Sequence, residues 1–159
     1  MAAARIDTGT VLALIAARLE AQIPDSLMLK RYPGEEQPVG SAVGWVHLFA
    51  LDLAQIPRSQ GAASAGGGDV PDMARLTAGF TVALPDALTR GSPRRLPGRV
   101  SVLRAALDGV TLQGDEHRVQ FVRADESYDP VPDDAPPIRT AGVVFTALVT
   151  RESGAVILT

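Results

Sequence analysis

Between Val11 and Ile23 the apolar residues Val11, Leu12, Ile15, Leu19 and Ile23 recur at three- and four-residue spacing. That spacing is one stripe of an amphipathic helix of about four turns. Asp7 stands at the N-cap position, its carboxylate within reach of the amides of Gly9 or Thr10. Ile6 and Val11 hold the two places of a hydrophobic staple. Pro24 stops the helix, because the residue before a proline avoids the helical region.

The period then changes. Residues 26–32 alternate loosely before the Pro33-Gly34 turn. Over 43–53 alternation is stronger: Val43, Trp45, His47, Phe49, Leu51 and Leu53 fall on one face, with Val46, Leu48 and Ala50 on the other. Apolar residues on both faces predict a central strand covered on both sides. Over 73–84, Leu76, Ala78, Phe80, Val82 and Leu84 oppose Arg75, Thr77, Gly79 and Thr81. A second helix follows a Pro/Gly/Arg-rich link at 85–98, with Val100, Leu103, Ala106, Leu107 and Val110 as its stripe and Gly109 as its stop. Gly114-Asp115 turns the chain into a strand at 116–124, and a last strong strand runs over 139–150.

Strands joined by loops favour antiparallel pairing, and two amphipathic helices suffice to cover one face of a sheet. The expected fold is therefore α+β: a two-layer sandwich, with a mostly antiparallel sheet of four to five strands and two helices on one face. The chain has 159 residues, which suits one domain. Residues 1–159 read as that domain, with a flexible loop at 57–72 and a tail at 152–159. The loop is a run of Gly, Ala and Ser between prolines, and a loop this long is uncommon inside a compact domain unless it binds something or is disordered.

Composition removes several classes of function. There is no Cys, so a disulfide framework, a thiolate zinc site and a thiol nucleophile are excluded. No apolar run reaches the ~20 residues that cross a bilayer, and Met1-Ala2-Ala3-Ala4-Arg5 lacks a signal peptide's apolar core, which predicts a soluble cytoplasmic protein. The only histidines are His47 and His117, with no His-x-x-x-His helix to hold zinc and no Gly-x-Ser-x-Gly elbow to carry a nucleophile. Gly66-Gly67-Gly68-Asp69 lacks the Gly-Lys-Ser/Thr ending of a phosphate loop, and Pro71 prevents a helix from starting there. No metal or cofactor is expected. Arg makes up all the basic residues except Lys30, which reads first as a GC-rich codon bias.

Charge is also blocked along the chain. Arg90, Arg94, Arg95, Arg99 and Arg104 follow one another with no acid among them, and Asp125, Glu126, Asp129, Asp133 and Asp134 form an acidic block. Each is first a solvated face. Alternatively the blocks pair within a subunit, or across a head-to-tail contact that closes into a ring. Net charge of −3 and 4% aromatics disfavour a dedicated nucleic-acid binder.

In this order of elements the chain resembles the tail terminators, the small tail-completion proteins of long-tailed bacteriophages. The residues that carry the resemblance are the opening helix (8–22) and the early strands at 27–32 and 45–53. A long variable loop then precedes Arg75-Leu-Thr-Ala-Gly-Phe-Thr-Val-Ala-Leu84. After it come a helix ending in the turn Ala106-Leu-Asp-Gly-Val110, a loop with Tyr128 and Asp129, and a last strand at 141–149. The resemblance covers about residues 5–151. It departs from the family in a short second helix behind a Pro/Arg-rich link.

What the resemblance implies is a structural, non-enzymatic protein: a homo-oligomeric ring, usually a hexamer, that caps the tail tube, stops its polymerisation and joins the tail to the head or neck. Implied partners are further copies of itself, the tail-tube protein and the neck or stopper protein, with DNA only passing through the lumen and no membrane. The implied place is the tail of a virion or phage-like particle, a gene-transfer particle included, assembled in the host cytoplasm. The loop with Arg58, Gly66, Gly67, Gly68 and Asp69 is then a tube or neck contact, and 155–158 an arm for a neighbouring sheet. Two readings compete. A neck or head-completion connector would form a larger ring in the same particle, and a small α+β enzyme would have only His47, His117 and the acidic block to work with.

Overall fold

The computed structural model describes residues 6–36, 42–56, 72–89, 94–128 and 138–151. Helix α1 (Thr8–Gln22) begins as the sequence predicts. The Asp7 carboxylate accepts from the Thr10 amide at 3.0 Å and from its hydroxyl at 2.6 Å, which satisfies one of the helix's free donors. Ile6, Val11, Ile15, Leu19 and Ile23 are all buried, so stripe and staple both form.

Six strands follow: β1 (Leu29–Arg31), β2 (Trp45–Ile56), β3 (Asp72–Pro85), β4 (Thr111–Gln113), β5 (His117–Tyr128) and β6 (Ile138–Arg151). Between β3 and β4 lie a one-turn helix, α2 (Asp86–Thr89), and α3 (Arg95–Leu107). The strands form one sheet in the order β1-β2-β3-β6-β5-β4. The β1–β2 pair is parallel, and every other neighbouring pair is antiparallel.

This corrects the expected four-to-five-strand, two-layer sandwich with two helices. The sheet is mixed, has six strands and curls into a half-barrel with three short helices. Two causes are local. β1 falls within the strand expected at 26–32, but the unforeseen β4 has only three residues, too few to show an alternation. The register also slips at Phe49 in β2 and at Val122 in β5, and a bulge bends a strand and increases its twist. The slip at Phe49 moves Leu51 and Leu53 onto the face of Ala78 and Leu76, where they pack against the core. Nor is β2 central and covered on both sides: only β1 lies beyond it, and Phe49 is 53% exposed.

The core lies between the helices and one face of the sheet. Val11, Ile15 and Leu19 of α1 and Val100, Leu103 and Leu107 of α3 join the sheet residues there in a single buried cluster. Phe80, Phe145 and Phe121 run across β3, β6 and β5, with centroids 5.6 and 5.7 Å apart in edge-to-face geometry. Arg18 Nε donates to the Ala106 carbonyl at 2.8 Å, which ties α1 to the last turn of α3.

Lys30, the one lysine of the chain, is buried on β1. Its ammonium donates to the Ile23 carbonyl at the end of α1 at 2.7 Å, bonds Asp25, and pairs with Glu20 at 3.5 Å. A compact cation with three rotatable donors can serve these three acceptors from one point. No described helix is long and apolar enough to cross a membrane.

A candidate subunit interface

Among the described residues the two charge blocks meet within the chain at one point. Arg104, in the last turn of α3, donates to Glu126 on β5 at 2.8 Å and to Asp108 at 2.8 Å. Those bonds, Glu126 first, hold the guanidinium above its ordinary pKa. The Tyr128 hydroxyl also donates to Glu126, at 3.2 Å. Asp125 pairs instead with Arg123 of its own strand at 2.9 Å. Arg94, Arg95 and Arg99 stand before and along the first turn of α3 with no ion-pair partner among the described residues. Arg90, Asp129, Asp133 and Asp134 lie outside the described residues, as do Arg58, Gly66, Gly67, Gly68, Asp69 and the tail arm at 155–158.

The candidate catalytic groups are not brought together. His47 is on β2 and His117 on β5, with β3 and β6 between them. Among the described residues no group of three or more His, Asp or Glu could hold a metal. His117 is structural: its Nε2 accepts the Asp7 N–H at 3.2 Å, joining β5 to the start of α1. That bond assigns its proton to Nδ1.

Burial, and then the nearby Arg151, pushes the His117 pKa below its ordinary value of 6.5. The unfolded chain therefore takes up a proton that the folded chain resists. The stability from neutral His117 is complete above about pH 6.5 and is lost as pH falls through the depressed folded pKa. Thermal unfolding from about pH 7 to about pH 5 should show a falling midpoint, with a shallower fall in His117→Gln, whose amide oxygen can still accept the Asp7 N–H. The same slope in both proteins would count against this role for His117.

Sequence reasoning missed the strand edges. β1 covers only Trp45, Val46 and His47 of β2. β4 covers only Arg118, Val119 and Gln120 of β5, with further bonds from the Gly114 amide to the His117 carbonyl and from the Phe121 amide to the Val110 carbonyl. Beyond these, neither long strand has an outer neighbour among the described residues. Of the five exposed large apolar side chains among the described residues, Phe49 and Ile56 are on β2, Val122 and Tyr128 on β5, and Val144 on β6. The Phe49 ring lies over Gly79, where an added Cβ would approach it to 2.9 Å. A continuous run of apolar or alternating residues signals a strand, but nothing local in it states how far the next strand will cover it.

No family model matches the chain, and no curated protein matches it. Among solved structures, a chain from the virion of a native gene transfer agent particle is similar, with a TM-score of 0.58 and 16% identity over 88% of this chain and 94% of that one. A second solved chain is similar at a TM-score of 0.51 and 14% identity, over 87% of this chain and 94% of its own. At these identities the likeness is one of fold.

Proposed function

We propose that this chain is a structural subunit of a phage-like particle, and that it forms the ring which caps the tail tube and joins it to the neck. The observation that carries the reading is the fold shared with a gene transfer agent virion chain, nearly end to end in both proteins. The order of elements that resembles tail terminators agrees with it independently. The work required is binding and blocking: a ring seated on the last tube ring removes the surface to which the next would add, and offers the neck a new one. Arg94, Arg95 and Arg99, unpaired among the described residues, supply cations for acidic groups of a neighbouring subunit. Loop 57–72 supplies the tube contact.

The test is light scattering on the purified protein, at low and high salt, alone and with its cognate tail-tube protein, followed by tube length in electron micrographs. A hexamer, or a monomer that becomes a ring on tube ends and halts their growth, is the expected result. Tubes that lengthen unchecked in its presence would sink the tail-terminator reading. A dodecamer that binds no tube would replace it with the neck connector.

A further inference from the structure

We propose that copies of this chain join edge to edge, the open edge of β5 in one copy adding antiparallel to the open edge of β2 in the next, so that the sheet runs on from subunit to subunit. The inference deepens the ring reading above, on which it rests for the expectation that the chain of contacts closes.

The register places the two edges. Following the pairs across the sheet, Ile56 is level with Met73, Thr150 and Arg118, while Val46 is level with Val82, Ala141 and Tyr128. The covered end of β2 is therefore level with the open end of β5, and the covered end of β5 with the open end of β2. Among the described residues the open stretches lie on opposite sides and at opposite ends of one sheet. Three successive antiparallel pairings, β2–β3, β3–β6 and β6–β5, make β2 and β5 run in opposite directions. A second copy in the same orientation, moved sideways and along the strands, therefore brings its β5 antiparallel to this β2. The stagger this needs is the kind that tilted strands adopt when a sheet closes on itself.

The edges also match in kind. Past each bulge the ladder is regular, over 50–56 in β2 and 123–128 in β5, so the lengths differ by one residue. Long edges are normally blunted by lysine, proline or inward-pointing charge. The stretch 48–56 has no lysine or proline and a single charge, Asp52. On β5, Arg123 and Glu126 are already occupied by Asp125 and Arg104. Among the described residues, four of the five exposed large apolar side chains stand on these two strands, one pair on each. Main-chain hydrogen bonds would supply the affinity and those four side chains the contacts beside them. Because the two edges differ, the contact is head-to-tail, and such contacts form rings when the rotation closes.

Two double variants test this in the full chain. Phe49→Lys/Ile56→Lys charges the β2 edge, and Val122→Lys/Tyr128→Lys charges the β5 edge. Since all four side chains are exposed, each variant should unfold close to wild type. Each alone should self-associate about a hundredfold more weakly by analytical ultracentrifugation. An equimolar mixture should form heterodimers near wild-type affinity, because one intact β2 edge meets one intact β5 edge. Either variant still associating like wild type overturns the proposal, as does a wild-type chain that stays monomeric both free and on tube ends.

Should a double variant fail to fold, the absence of cysteine permits a gentler measurement. Ala54→Cys and Ser127→Cys proteins should be joined by a short bis-maleimide only when mixed. Cross-linking of either alone, or of neither in the mixture, overturns the edge pairing. Failure here is separable from failure of the capping function: rings that cap tubes with both edges charged refute this contact alone, and edge-joined rings that leave tubes growing refute the capping alone.

Discussion

Phe145→Ala is expected to cost about 4 kcal/mol of folding stability, near the middle of the range for a buried phenylalanine cut to alanine. Phe145 has no exposed surface and lies on β6, one of the two central strands of the sheet. It is the only ring of the three that touches both others, edge-to-face with Phe80 on one side and Phe121 on the other. Truncation removes both contacts, each worth roughly 0.5–1.5 kcal/mol beyond its area, and opens a cavity between the sheet and the helices packed on it. In urea the midpoint should fall with an unchanged slope, the sign of lost stability with the same surface exposed. Phe145→Leu, which keeps most of the volume, should lose under about 1.5 kcal/mol. A cycle combining Phe80→Ala with Phe145→Ala should show coupling of about 1 kcal/mol, since the two share one contact. A loss below about 1.5 kcal/mol for the alanine variant would mean that the sheet and helices are not held by this line of rings.

The same residues show why some of this architecture was legible in the sequence. In α1, β3 and β6 a single period runs unbroken over 14 or 15 residues, so cap, stripe and faces all follow from local chemistry. Phe49 broke the reading of β2. A bulge leaves no mark in the alternation until the partner strand is known, and every residue after it was assigned to the wrong face. The alternation at 26–32 marked β1 but not its parallel pairing with β2, and β4, with three residues, is too short for any period. The charge blocks were visible as blocks, but only the fold shows that Arg104 reaches Glu126, 22 positions away, while Asp125 turns to Arg123. Lys30 stood out in composition as the one lysine among arginines, but only the fold shows it buried and bonded to the end of α1. The open edges are a property of relative strand length across the sheet, which no window along the chain contains.

Gly44→Ala is expected to cost about 3 kcal/mol, as the sum of two separable effects. Gly44 has φ +87°, a conformation that costs an L-residue roughly 1–2 kcal/mol. An alanine Cβ there would also stand 2.5 Å from the Ala83 carbonyl oxygen and 2.6 Å from the Leu84 side chain. Ala83 is paired with Trp45 at the start of β2, so its carbonyl cannot retreat without opening the β2–β3 ladder. Gly34 is the internal control: its φ is +91°, and nothing lies within 4 Å of an added Cβ. Gly34→Ala should therefore show the backbone effect alone, about 1 kcal/mol, and the difference between the two variants measures the clash. Equal losses in urea unfolding would mean that the ladder yields freely and Gly44 matters only for its φ. The Gly44 carbonyl also accepts the Leu29 amide at 3.1 Å, the first bond that lays β1 against β2. Loosening it uncovers the one stretch of β2 that β1 protects. On the edge pairing proposed above, a folded Gly44→Ala protein should differ from wild type in self-association by analytical ultracentrifugation, because β1 covers the stretch of β2 next to the proposed contact.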